Sequence, residues 1–286
     1  MTIRSLSQAV AEEVAYLDAA QKGDGGPHTG FRDLDDLLGG FWPGQLTILA
    51  GRTGMGKTAL ALDVAANLAL DQARGVGVFS MQLCERELAK RWLVGRARLP
   101  LDAIRRGRLE SHQLLDVLAV QQTTAGVSIL LETNPEPGVC ELVERARAIR
   151  SHLEESDKPL GMLIIDSLQS IRPAAQHRHH GGYIAWALKQ LAEELHVPVL
   201  VTSDLSPAID DRADKRPLLR DLEDVGRPEQ HADAVLLLYR DDHYHPDSAH
   251  FGEAEVTVVR TGHGSVGTAT LFFLERHGRF ATHVRG

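Results

Sequence analysis

The run Gly51-Arg52-Thr53-Gly54-Met55-Gly56-Lys57-Thr58 puts three glycines, a lysine and a hydroxyl into one short loop, in the pattern G-x-x-x-x-G-K-[ST]. That composition suits a polyphosphate. Glycines let the backbone wrap closely, so that its N–H groups point at phosphate oxygens. A helix starting at the loop adds partial positive charge. Lys57 supplies a cation for the β- and γ-phosphates of a nucleotide, and the Thr58 hydroxyl supplies a ligand for Mg²⁺. A glycine-rich turn alone proves little. Here it follows a short apolar run, LTILA (46–50), and opens a helical pattern from Lys57 to about Leu70, which is the context the motif requires. The metal also needs a carboxylate. MLIIDSLQS offers Asp166 after four apolar residues, at the carboxyl end of a strand, where ligands collect in parallel sheets. An Asp at that place can also cap a helix, and the two roles are compatible.

These groups need a scaffold that brings strand ends together. Apolar runs recur at VGVFS (76–80), SILL (128–131), MLIID (162–166), PVLVT (198–202) and AVLLLY (234–239). Helical patterns lie between most of them, including one from about Glu85 and others at 139–154 and 183–195. Strands that are apolar throughout and alternate with helices indicate a parallel sheet covered on both faces. The end differs: EVTVVR (255–260) and TATLFFL (268–274), joined by TGHGSVG, read as a closing β-hairpin. At the start, Leu6, Val10, Val14 and Leu17 fall at helical spacing, and the Gly-rich QKGDGGPHTG after them reads as a linker. The chain thus divides into a linker helix with flexible linker (1–28) and one α/β domain (29–286).

Bulk properties agree. The 286 residues suffice for one large domain with an appendage. A net charge of −8 disfavours tight, non-specific binding to duplex nucleic acid without excluding local basic patches. Cys84 and Cys140, both in stretches read as helix, make no disulfide framework and suit a reducing compartment. No stretch approaches the ~18 apolar residues of a membrane span, and MTIRSLSQAVAEEV lacks an apolar signal core, so a cytoplasmic location without membrane contact is expected.

A family resemblance emerges from longer segments. HTGFRDLDDLLGGFWPGQLTILAGRTGMGKTALALDVA resembles the opening of RecA-like hexameric ATPases, in which T-G-F-x-x-L-D precedes the phosphate loop. FSMQLCERELAKR is similar to the F-S-L-E-M-S motif of DnaB-type replicative helicases. IRRGRL, IIDSLQ, LKQLAEELHVPVLVTSDLS, DKRPLLRDL, EQHADAVLLLYRDDHY and the hairpin follow in that family's order, over roughly residues 29–280. The resemblance implies a RecA-like ATPase using ATP and Mg²⁺ and acting on single-stranded DNA. It further implies a homo-oligomeric ring, hexameric in form, or a mixed ring with a related ATPase. In such rings the linker helix packs on the neighbouring subunit. Tyr239 and Arg240 would border the nucleotide base. On this resemblance the chain is expected to lack the family's N-terminal primase-binding domain.

The departures from the family pattern are informative. Gln82 stands where the family has its catalytic Glu, and an amide can orient water but cannot take its proton. Where the family's hairpin reads K-Q-R-N-G, this chain has Arg260-Thr261-Gly262-His263-Gly264, so Gly262 occupies the arginine-finger position. A finger arginine is worth about 10³–10⁵-fold in rate. Arg260, two residues away on the same strand face, is a candidate substitute. The family's S-Q-L-S-R reads Ser203-Asp204-Leu205-Ser206-Pro207, and Asp204 is either the carboxylate that Gln82 lacks or a tolerated polar residue. The R-E-S-G of the inner DNA loop becomes Glu223-Asp224-Val225-Gly226, which repels a phosphate backbone, with Arg220 and Arg227 as nearby compensation.

Other signals read as bland. The clusters His177/His179/His180 and His243/His245/His250 lie in turn-rich stretches and read as exposed loops rather than metal sites. In RecA-like proteins the first faces the central channel, so Arg172, His177, Arg178, His179 and His180 are candidate DNA contacts. Trp42, Trp92 and Trp186 read as core. Two functions compete: an ATP-driven motor on single-stranded DNA, and a nucleotide-binding scaffold or regulatory subunit that has lost motor activity. A recombination- or clock-type RecA relative fits less well, because of the DKRP segment and the hairpin.

Overall fold

In the computed structural model the described residues are 5–8, 10, 11, 14, 18, 26–172 and 180–282. Nine strands form one sheet: β1 (Leu46–Gly51), β2 (Gly75–Ser80), β3 (Ile129–Glu132), β4 (Leu160–Asp166), β5 (Val199–Asp204), β6 (Ala234–Tyr239), β7 (Glu253–Arg260), β8 (Gly267–Leu274) and β9 (Arg279–Thr282). Their spatial order is β3-β2-β4-β5-β1-β6-β7-β8-β9. The first six pair in parallel. From β6 onward the pairing is antiparallel. The mostly parallel α/β architecture with a terminal hairpin is the one the sequence predicts. β9 goes beyond the prediction. Its four residues, Arg-Phe-Ala-Thr, carry too little pattern to announce a strand, but they pair with β8 and bury Phe280.

The two faces of the sheet explain why the central strands are continuously apolar. Along β4, Leu163 and Ile165 point into one core and Met162 and Ile164 into the other. The first core is closed by α6 (Val139–Glu155) and α7 (His180–Leu195). In α6 the buried Val139, Leu142, Ala146, Ile149 and Leu153 recur at three- and four-residue steps, so one stripe meets the sheet. Burying a side chain such as Leu142 fully contributes about 2 kcal/mol. The second core is closed by α1 (Arg32–Leu38) and α2 (Lys57–Asp71). Smaller helices α3 (Glu85–Arg96), α4 (Leu101–Arg106) and α5 (Ser111–Thr124) follow β2, and α8 (Asp241–Tyr244) follows β6.

Two contacts fix α7. At its start, a side chain at Gly181 would meet the Val225 carbonyl at 1.9 Å, and one at Gly182 would meet the Gly226 carbonyl at 2.7 Å, so helix and loop backbones touch directly. In its third turn, Lys189 Nζ donates to the Gly44 carbonyl and to Asp233 Oδ2, each at 2.9 Å. The same Asp233 oxygen accepts the Leu46 N–H at 2.8 Å, at the start of β1.

Some expectations need correction. Cys84 precedes α3 in extended conformation instead of lying within a helix, while Cys140 is in α6; both are exposed free thiols. The tryptophans are not core. Trp186 is 46% exposed, Trp92 is half-buried and donates to Thr124 Oγ1, and Trp42 stacks on His263 with centroids 4.4 Å apart. Of the proposed N-terminal stripe, Leu6, Val10 and Val14 are helical and exposed, and Leu17 lies outside the described residues. So do most of the linker (19–25) and the loop residues His177, Arg178 and His179.

Candidate nucleotide site

The site collects at the carboxyl ends of β1, β2, β4 and β5. β1 ends at Gly51 and the chain turns through Arg52–Gly56 into α2, whose first residues are Lys57 and Thr58. Gly56 has φ 103°, a left-handed conformation that disfavours any side chain, and a Cβ there would touch the Phe280 ring at 3.0 Å. The turn therefore depends on that glycine and is backed by β9. Met55, only 1% exposed, anchors the loop in the second core.

Lys57 is almost buried, and its Nζ donates to the carbonyls of Gly51 (2.8 Å) and Arg52 (3.2 Å) and to Asp204 Oδ1 (2.8 Å). Thr58 Oγ1 donates to Asp166 Oδ2 at 2.7 Å, and the buried Thr202 hydroxyl donates to Asp166 Oδ1. Asp166 is 5% exposed, so a charge here needs partners, and both carboxylate oxygens have them. Hydroxyl and carboxylate oxygens converging on one point are hard donors of the kind Mg²⁺ prefers.

Gln82, just beyond β2, turns toward the end of β4, where its Nε2 donates to Ser167 Oγ at 3.1 Å. Gln169 Nε2 donates to Ser203 Oγ (2.9 Å) and to the Asp204 carbonyl (3.2 Å), locking the end of β5. Sequence reasoning missed Thr202 and Gln169, because neither type at its position signals chemistry until the strands are in register.

A second group forms the flank beyond β6. Arg52 Nη2 pairs with Asp210 Oδ2 at 2.6 Å, and Arg52 Nη1 donates to the Leu205 carbonyl. Tyr244 OH donates to Asp210 Oδ1 at 2.8 Å. Arg52 holds the Asp210 carboxyl below its ordinary range, while burial and Asp210 push Tyr244 up to about 12. His243 packs over the loop, its ring 2.8 Å from where a side chain at Gly54 would sit. The second histidine cluster thus includes a residue on the phosphate loop. Among the described residues no group of three His, Cys, Asp or Glu could hold a metal ion.

The two residues expected beside a base are turned into the protein. Tyr239 OH donates to Asp241 Oδ1 at 2.7 Å, and Arg216 covers its ring at 4.9 Å. Arg240, 6% exposed, is held between Asp242 Oδ1 (3.1 Å) and the face of Phe273 (3.9 Å). Aromatic surface on this flank is instead offered by His243 and Tyr244. Arg260 Nη1 donates to the Glu229 carbonyl at 2.7 Å at the open end of β7, and Gly262 lies in the following turn. Arg227 is paired with Glu223 at 3.2 Å, so part of its charge is spent within the loop.

A parallel sheet delivering a glycine-rich loop, a lysine, a hydroxyl and a buried carboxylate to one edge defines a P-loop nucleotide-binding fold of RecA-like type. The family profile described as DnaB-like helicase C terminal domain matches residues 26–282. Curated relatives include the replicative DNA helicase DnaB of Geobacillus stearothermophilus, 32% identical over 90% of this chain and 56% of its own length. The replicative DNA helicase DnaC of Bacillus subtilis is 32% identical over 93% of this chain and 58% of its own length. Among solved structures, the ATPase domain of G40P superposes with a TM-score of 0.89 at 28% identity, covering 99% of this chain and 100% of that one. A DnaB-like replicative helicase whose interactions with primase are described gives 0.83, also at 28% identity, with 99% of this chain and 68% of that one covered. The chain belongs to the DnaB-like helicase C-terminal domain family. It spans somewhat more than half the length of these curated relatives.

Proposed function

We propose that residues 29–286 form an ATP-binding RecA-like motor domain of the replicative helicase type, which couples ATP hydrolysis to movement on single-stranded DNA. The observation that carries this reading is the convergence of Lys57, Thr58 and Asp166 on one edge of the sheet, the Thr58 hydroxyl 2.7 Å from the carboxylate. Lys57 and the loop N–H groups would bind the phosphates. Thr58 and Asp166 would hold Mg²⁺, which when bound offsets phosphate charge. His243 and Tyr244 would flank the base.

Ring assembly completes the reading. A cavity of about 540 Å³ lies between α2, α3, α5 and β3, with Leu62, Leu88, Trp92, Ile129 and Leu131 among its walls. The exposed stripe Leu6, Val10 and Val14 on the same chain matches it in chemistry, so the occupant we assign is the N-terminal helix (within 1–28) of a second copy. In such a ring Arg260 would face the neighbour's phosphates. No described helix is long and apolar enough to cross a membrane.

A second reading has support of its own. Gln82 brings an amide to the end of β4, and Gly262 brings no cation to the hairpin turn. A chain that binds nucleotide and assembles, alone or in a mixed ring with a related ATPase, yet hydrolyses slowly, would look like this. ATP turnover by the purified chain, with and without single-stranded DNA and beside Lys57→Ala, separates them. DNA-stimulated turnover that vanishes in the variant supports the motor. Nucleotide binding without turnover above the variant supports the scaffold.

A further inference from the structure

Lys57 and Asp204 form an ion pair inside the phosphate-binding loop itself. An ammonium has three donors, and all three are spent, on two loop carbonyls and Asp204 Oδ1. The backbone of Asp204 is fixed in this place. It ends β5, in register with Gly51 at the end of β1, so the sheet fixes the separation of their backbones. Gln169 holds its carbonyl from the other side. The Lys57 side chain is 9% exposed and that of Asp204 is 35%, so the pair sits at the solvent edge, with the cation inside.

We propose that Asp204 is an internal competitor for Lys57 that weakens nucleotide binding, and weakens it more for a triphosphate than for a diphosphate. This rests on the nucleotide-site reading above. A phosphate oxygen that takes Lys57 must first displace the Asp204 carboxylate. Because β5 holds Asp204 in place, the displaced carboxylate stays beside the phosphates and repels them. Lys57 reaches the β- and γ-phosphates, so the repulsion grows with the extra charge of the triphosphate. An uncharged amide at this position would compete more weakly and would not repel. Asp204 is thereby a positioning residue acting through Lys57, and it sets how readily the loop fills and with which nucleotide.

The test is equilibrium binding of N-methylanthraniloyl ATP and ADP, at fixed Mg²⁺, to the full chain and to Asp204→Asn, Asp204→Glu and Lys57→Ala, with melting of each nucleotide-free protein. Asp204→Asn should bind the ATP analogue roughly 5- to 10-fold more tightly, the span of an ion pair at the solvent edge plus relief of repulsion. It should improve less for ADP, and its nucleotide-free form should melt lower. Asp204→Glu, which keeps the charge, should stay near the parent chain in both. ATP affinity unchanged or weakened in Asp204→Asn overturns the proposal. So does unchanged affinity with collapse of kcat, which would make Asp204 the base acting on water. If Lys57→Ala binds both analogues as tightly as the parent chain, the nucleotide-site reading itself has failed.

Discussion

Asp63 gives a pH dependence whose sign can be worked out from the structure. It lies on α2, about two turns beyond Gly56 of the phosphate loop, and is 6% exposed. Its Oδ2 accepts the Phe280 N–H at 2.6 Å, while Oδ1 lies 3.3 Å from Arg96 Nη2 and 4.0 Å from Arg279 Nε. Desolvation is the larger effect and raises its pKa from 3.8 to about 6, against the hydrogen bond and the two guanidiniums, which pull it down. Arg96 responds in the same way: burial lowers its pKa despite Asp63. Above pH 6 both folded and unfolded chains carry the charge, and the folded one carries it at a cost. Between pH 6 and 3.8 the folded chain takes up a proton that the unfolded chain does not, so this group adds stability as pH falls. From pH 7.5 to pH 5 the increase is on the order of 1 kcal/mol. Asp63→Asn cannot titrate. Urea unfolding of both chains at pH 7.5, 6 and 5 should show the parent rising relative to the variant by that amount as pH drops. A flat difference would mean that Arg96 and Arg279 offset desolvation in full, and a parent that loses ground at low pH would mean that they outweigh it and that Asp63 is an ordinary ion-pair carboxylate.

Gln82→Glu should raise turnover by about 10²-fold if water activation limits the reaction, since a positioned carboxylate base is worth that much; single-turnover hydrolysis would show it. Gly181→Ala should destabilise the fold by about 2–4 kcal/mol, because its methyl would meet the Val225 carbonyl and force one of the two backbones to shift; thermal melting reads this directly. Glu223→Arg removes a repelling charge and frees Arg227 from its partner. It should tighten single-stranded DNA binding and steepen the dependence of log K on log[salt] by about 0.7 for each additional phosphate neutralised, measured by fluorescence anisotropy.

The phosphate loop, Asp166 and the parallel strands were legible because each is local: a motif, or an apolar run with fixed neighbours. What escaped depends on register or on long-range partners. Asp204 meets Lys57 because β5 pairs with β1, and no spacing along the chain announces this. Thr202 reaches Asp166 because β5 pairs on its other side with β4. Phe280 sits on a strand too short for alternation to show, yet it backs the turn at Gly56. The tryptophans misled because hydrophobicity predicts burial only on average. Trp186 lies on α7 beside residues that fill the core but points away from it.

The seating of α7 has a mechanical consequence. At its first turn the helix rests its own backbone directly on that of residues 225 and 226, with no room for a side chain at Gly181 or Gly182 between them. About 12 Å further along the axis, Lys189 ties the same helix to Gly44 and Asp233 at the foot of the phosphate-loop strand. α7 is therefore held at two points, in its first turn and in its third. Residues 225 and 226 and the start of β1 thus share one supporting element, and a displacement of α7 would disturb both contacts together.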